Sequence, residues 1–223
     1  MLMEHTFATY EMSDATVPED ATVEDAVLVR PLLKNTQLET RPLTVVYDAN
    51  HDGWDPRAFH QGVDAKGATV ILARDKGTGK VVGGYNPKGF CSFGGARPSV
   101  AAFLFYEMEG TPPTFQKLRK LKDGKLSCAR DDANFGISFG LTDFVIGLQA
   151  GEERRATSHL GEYFECGPEN LVSLFGKETS VELSDLKVLV GSYEDGEDIP
   201  YSGEVLDSFQ FTNNGLQESI FFN

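Results

Sequence analysis

The residues that could do chemistry begin with an oxygen-rich turn at residues 48–53, which read D-A-N-H-D-G. Asp48, Asn50 and Asp52 stand at the first, third and fifth positions of a calcium-binding loop, and the glycine after them permits its sharp turn. The twelfth position of such a loop supplies a bidentate Glu, but here it is Phe59. The alternative is an Asx-rich turn between a strand and a short helix, and the missing ligand favours it.

The histidines raise the question of hydrolytic chemistry. The histidines that could act as a catalytic base or a metal ligand are His51, His60 and His159. Ser158 adjoins His159, but neighbours in a chain rarely form a nucleophile–base pair. His60 follows Phe59 on a predicted helix, and we expect it at the helix surface. No catalytic residue and no cofactor is therefore predicted, and we do not expect an enzyme.

Cys91, Cys128 and Cys166 are odd in number and contain no C-x-x-C pair. This spacing predicts neither a zinc ribbon nor a disulfide framework, and it favours free thiols in a reducing compartment. Cys91 and Cys166 lie near predicted turns, so they are the candidates for redox chemistry.

The net charge of −14 argues against nucleic acid or an anionic membrane as a direct partner. No segment has the length of a transmembrane helix, and the first ten residues do not resemble a secretory signal. We expect the cytoplasm or the interior of an organelle; a transit peptide removed before Met1 would leave no trace. The basic segment 110–125 contrasts with the acidic remainder, which makes its cations candidates for docking a protein partner: Lys117, Arg119, Lys120 and Lys122.

Most of the secondary-structure elements predicted from the sequence are short strands separated by glycine turns. They predict a mainly β (α+β) fold, a two-sheet antiparallel sandwich with a few short helices and extended terminal arms. A helix is expected within 18–29, and a second one begins after Asp55 with Pro56 in its first turn. Segments 86–98 and 110–125 are expected as loops. The predicted strands are 43–47, 68–74, 81–85, 100–106, 137–139, 144–148 and 181–190.

The chain divides by composition into three parts. Residues 1–42 form an acidic N-terminal arm, residues 43–193 form the β domain, and residues 194–223 form a C-terminal extension. The extension ends in apolar side chains suited to docking into a partner: Ile220, Phe221 and Phe222.

The order of several short motifs resembles that of the TLDc family. They include a G-x-T strand, a hairpin into G-G-Y, an apolar F-L-F strand, an F-G turn and an L-G-x-Y segment. The matching residues are 46–47, 52–53, 59, 67–69, 83–85, 102–105, 139–141, 160–163 and 185–193. The resemblance departs at Ala101, where family members often have Glu.

The resemblance implies a protein-interaction module more than an enzyme. TLDc proteins are described as oxidation-resistance proteins, and several bind the vacuolar-type proton ATPase. We therefore expect a non-catalytic regulator or accessory subunit of a large complex, held through its terminal arms. The alternative is a thiol-based protein that protects against oxidative stress.

Overall fold

A single long strand joins the two halves of the antiparallel sheet. The computed structural model describes residues 24–110, 112–121 and 127–202. Its helices are α1 (Glu24–Val29), α2 (Ala49–Asp52) and α3 (Pro56–Val63), with 3-10 turns at Arg30–Leu33 and Pro168–Asn170. Its strands are β1 (Leu43–Asp48), β2 (Thr69–Asp75), β3 (Val81–Asn86), β4 (Gly95–Pro98), β5 (Phe103–Met108), β6 (Thr114–Arg119), β7 (Ser127–Asp131), β8 (Ile137–Phe139), β9 (Phe144–Ile146), β10 (Arg155–Thr157) and β11 (Ser180–Gly191).

The junction between the halves lies within β11. Its first residues pair with β10, and the part from Leu183 onward pairs with β2 and, on the opposite edge, with β1. The register slips between Leu183 and Asp185, where the strand passes from one half to the other. Such irregularities bend a strand and increase its twist, which lets one sheet curl over itself. The predicted mainly antiparallel β fold is confirmed.

The main core fills the space between the two halves. Side chains from β2 and β5 on one side meet β8 and β9 on the other, as in Ile71, Leu104, Phe139 and Phe144. All four are completely buried. The alternation of inward and outward residues along each strand places these apolar groups on the inner faces.

A second core lies on the outer face of the β2–β3–β5 region, beneath the N-terminal helix. Ala26, Val29 and Leu33 are fully buried there, against residues such as Val70 and Phe105. Part of the segment expected as an arm, residues 24–42, thus packs on the sheet, whereas residues 1–23 and 203–223 lie outside the described residues. Across the described part of the chain, no helix is both long enough and apolar enough to cross a membrane.

The structure corrects two of the loop predictions. Strand β4 lies within the expected loop 86–98, and β6 lies within the expected loop 110–125. Both are at the ends of the strand order. Gly and Pro are tolerated in β4 because an edge strand can leave a backbone donor unpaired. The cations of β6 are typical of edge strands, where charged side chains hinder pairing with another molecule.

Candidate functional site

The predicted calcium ligands do not converge on a common point. The Asp48 carboxylate accepts from the backbone N–H of Asn50 at 3.0 Å and so caps α2. Asp52 accepts from the backbone N–H of Asp48 at 2.8 Å and pairs with His51. The Asn50 side-chain oxygen accepts from Trp54 and Arg154, each at 3.1 Å. The turn is therefore the Asx-rich alternative, a strand-to-helix connection held by its own side chains.

In its described part, residues 112–121, the basic segment does not form the solvated loop that its composition predicts. Lys117 lies on β6, donates to the Leu32 carbonyl oxygen at 2.6 Å and covers the Phe103 ring at 3.9 Å. Burial, and then the charge of Arg119, lower the pKa of Lys117. Lys120 is buried, with its ammonium group 5.0 Å from the ring centre of Phe164.

Arg119 remains exposed, and it stays a docking candidate. Lys122, Ile220, Phe221 and Phe222 lie outside the described residues, so their docking role stays a prediction.

The two redox candidates differ in environment. Cys91 is partly buried, and its thiol donates to Asp131 at 3.2 Å. Burial, together with the bond to this carboxylate, raises the pKa of Cys91 to about 11. The thiolate is the reactive form, so Cys91 is held in its unreactive state. Cys166 is exposed.

His60 is buried, whereas the sequence predicted it at the helix surface. It leaves 6% of its surface accessible, and its ring packs edge-on against Phe59 and Phe90. Nδ1 lies 2.8 Å from Asp64 Oδ1, and Nε2 lies 2.9 Å from the Phe135 carbonyl oxygen. Since a carbonyl oxygen can only accept, Nε2 carries a proton and Nδ1 faces the carboxylate.

The protonation of His60 follows from these contacts. Burial lowers the pKa of His60, but the bonds to Asp64 and to the Phe135 carbonyl, with the charges of Asp64 and Asp131, raise it overall above its ordinary value. Its two ring contacts, with Asp64 and with the Phe135 carbonyl oxygen, tie α3 to the segment before β8.

Asp131, at the end of β7, organises the turn at residues 91–93. Its side chain is 1% exposed. Oδ1 accepts from the backbone N–H groups of Cys91 and Ser92 at 3.0 and 2.8 Å, and Oδ2 accepts from that of Phe93 at 3.3 Å. A buried carboxylate is tolerated when its oxygens are hydrogen-bonded, so Asp131 both requires and fixes this turn.

Ser92 completes the cluster. It adopts a left-handed backbone conformation, with φ of 55°. Its hydroxyl donates to Asp64 and lies 3.2 Å from His60 Nδ1. In a Ser–His–Asp triad the serine and the carboxylate contact opposite ring nitrogens. Here both contact Nδ1, so the arrangement is not an assembled nucleophile. We refer to the cluster of His60, Asp64, Ser92 and Asp131 as the polar hub.

Two other histidines among the described residues lie elsewhere on the surface. His51 and His159 are exposed. Ser158, next to His159, is buried and donates to the Asp143 carbonyl oxygen at 2.7 Å. The Ser158 hydroxyl is therefore bonded to the backbone, and it does not form a catalytic pair with His159.

Phe93 is the exposed apolar side chain of the turn that Asp131 holds. It is 76% exposed, although its backbone is held by Asp131. Phe93, Asp64 and Asp131 were not among the site residues predicted from the sequence. The His60–Asp64 spacing of four residues is a local signal for a helical pair. Asp131 gives no such signal, because it reaches the turn only through pairing of β4 with β7.

These features define a mainly antiparallel β domain whose buried polar hub fixes a surface turn. A sequence profile of the TLDc domain matches residues 22–182, which is more than half of the chain. The chain belongs to the TLDc family. The match starts at residue 22, just before α1, in agreement with the packing of that helix on the sheet. A comparison with curated proteins found no match to this chain.

Proposed function

We propose that this protein is a non-catalytic interaction module, a regulator or accessory subunit that binds a larger protein assembly. The observation that supports it most is the exposed Phe93 on a turn held by the buried Asp131 carboxylate. A large apolar side chain on a fixed backbone loses little entropy on binding, which is the property of an interface anchor.

The charge of the chain favours a partner with a basic surface. A net charge of −14 attracts basic protein surfaces and speeds their encounter with the domain. The partner surface we envisage has an apolar pocket for Phe93 and cations at its rim. Such a surface matches the usual anatomy of an interface, with an apolar centre and a polar edge.

The assembly is proposed from the family resemblance. Because this chain resembles TLDc proteins of the oxidation-resistance type, we infer that its partner is the vacuolar-type proton ATPase or another membrane energy-transducing complex. The chain would dock on a soluble face of that complex. The thiol-based alternative loses support from Cys91, because its raised pKa keeps it in the thiol form.

Capture from native membranes tests this proposal. The full-length chain, carrying a small tag, is incubated with detergent-solubilised membranes that contain the ATPase, and recovered proteins are quantified by mass spectrometry. An unrelated acidic protein of the same net charge serves as the control bait. We expect ATPase subunits in fixed ratio on this chain and not on the control. Recovery of the chain alone, or equal recovery on both baits, contradicts the proposal.

A further inference from the structure

We propose that His60, Asp64 and Asp131 bind a divalent transition-metal ion, with Zn²⁺ the best match. One ligand atom from each residue lies within 4.8 Å of the other two. An imidazole nitrogen and carboxylate oxygens are ligands that Zn²⁺ takes in proteins, and three protein ligands with an open fourth position are typical of its non-structural sites. This site does not rest on the interaction proposal, since it needs neither the side chain of Phe93 nor a partner.

The orientation of the histidine supports a metal site. A ligating imidazole usually donates its second ring N–H to a carbonyl or carboxylate, which fixes the nitrogen that faces the ion. In this protein Nε2 donates to the Phe135 carbonyl oxygen at 2.9 Å, and Nδ1 faces Asp64. Edge-on packing against Phe59, with ring centres 4.9 Å apart, prevents the ring from turning away.

The carboxylates are also held by an outer layer of donors. The hydroxyl of Ser92 donates to Asp64. The backbone N–H groups of the 91–93 turn donate to Asp131. Such outer partners hold ligating carboxylates in place at metal sites, and here they come from a turn that the fold builds around one buried side chain.

Charge and solvent access also favour a divalent ion at this site. A neutral imidazole and two carboxylates carry two negative charges, which a divalent ion balances. His60 and Asp64 line a surface groove together with Asp55, Arg57, Gln61 and Asn134, and this groove gives an ion and a water ligand a path from solvent.

The ion takes the place of a proton. The 2.8 Å separation between His60 Nδ1 and Asp64 Oδ1 is that of a hydrogen bond. On binding, the Nδ1 proton leaves to solvent, and bonds of about 2.0–2.2 Å form from the metal to this nitrogen and to the carboxylate oxygens.

Equilibrium dialysis of the full-length chain tests the site. The chain is stripped with a chelator, dialysed against Zn²⁺, and its metal content is measured by mass spectrometry. The matched control is the surface pair His51 and Asp52, whose ring nitrogen and carboxylate lie 2.7 Å apart. We expect one Zn²⁺ per chain in the wild type and in the Asp52→Asn variant, and at least tenfold weaker binding in the Asp64→Asn variant.

Three results overturn the proposal: no ion retained by the wild type, full retention by Asp64→Asn, or loss of the ion with Asp52→Asn. If Asp64→Asn does not fold, nitrogen NMR of the wild type decides. Added Zn²⁺ should then shift the Nδ1 resonance of His60 and leave that of His51 unchanged. The reverse pattern, or no shift at either ring, also overturns it.

Discussion

The ring of Phe139 lies directly against the backbone of Gly84. A methyl group placed on Gly84 would come within 2.7 Å of Cζ of Phe139 and within 2.9 Å of both Cε atoms. Gly84 is in β3 and Phe139 is in β8, so this contact joins the two halves of the sheet across the main core. The absence of a side chain at residue 84 sets how closely the halves approach.

Gly84→Ala should therefore destabilise the fold. The added methyl group must displace a buried ring, and overpacking of this kind costs about 1–3 kcal/mol. The matched control is Gly77→Ala in the β2–β3 turn, where the nearest atom to an added methyl group is 3.5 Å away. We expect a change within about 0.5 kcal/mol for that variant. Urea denaturation followed by circular dichroism measures both; equal effects would contradict the close approach.

Lys117 should hold the N-terminal helix on the sheet. Lys117→Ala removes the bond to the Leu32 carbonyl oxygen and the contact with the Phe103 ring, so we expect a loss of about 1–3 kcal/mol in unfolding free energy. Arg119→Ala, two residues along β6 and exposed, should change it by about 0.5 kcal/mol or less. Amide hydrogen exchange should show faster exchange in residues 24–33 of the Lys117→Ala variant. Unchanged exchange there would exclude the proposed contact.

Cys91 and Cys166 should react at different rates. With iodoacetamide at pH 7.5, Cys166 should be labelled before Cys91, because Cys166 is exposed while Cys91 is partly buried and bonded to Asp131. Peptide mapping by mass spectrometry follows each site separately. In denaturant the difference should vanish. Faster labelling of Cys91 in the native protein would argue for the thiol-based alternative.

Asp143 should make stability depend on pH. Its Oδ1 accepts from the backbone N–H groups of Tyr163 and Phe164 at 3.1 and 2.9 Å, whereas Oδ2 is buried without a partner among the described residues. Burial raises the pKa of Asp143, although those backbone bonds lower it in part. The folded state therefore favours the protonated form. This contribution is fully present below the unfolded pKa and is lost as the pH rises through the folded one.

Asp143→Asn isolates that contribution. The amide is neutral at every pH, so the variant should gain melting temperature relative to the wild type as the pH rises from 4 to 7. Other titrating groups are common to both proteins and cancel in the difference. A difference that stays constant over this range would show that Asp143 does not titrate as its burial requires.

Much of the fold follows from local patterns. The β2–β3 hairpin was predictable because two segments rich in β-forming residues flank a glycine turn. Asp75 closes that turn by accepting from Gly77 and Thr78. The start of α3 was predictable from Asp55, whose carboxylate accepts from the backbone N–H of Ala58. By contrast, β4 and β6 are edge strands rich in Gly, Pro or Lys, and their pairing depends on neighbours far along the chain.

The hub shows why the site was harder to foresee. His60 looked exposed because it follows an inward-facing residue on a helix, yet the segment containing Phe135 closes over it. Asp131 is 67 residues beyond Asp64, and strand pairing alone brings it to the 91–93 turn. Spacing along the chain reveals partners on one helix, but not partners that meet through the tertiary fold.

Binding of the Phe93→Ser variant tests the central claim most directly. The account predicts that this change weakens equilibrium binding to the captured assembly at least tenfold, about 1.4 kcal/mol, because the side chain is the proposed anchor. The matched control is Leu141→Ser, which also removes an exposed apolar side chain but lies outside the turn fixed by Asp131. Both variants should keep the wild-type melting temperature. Wild-type affinity in the Phe93→Ser variant, or an equal loss in Leu141→Ser, would contradict the account.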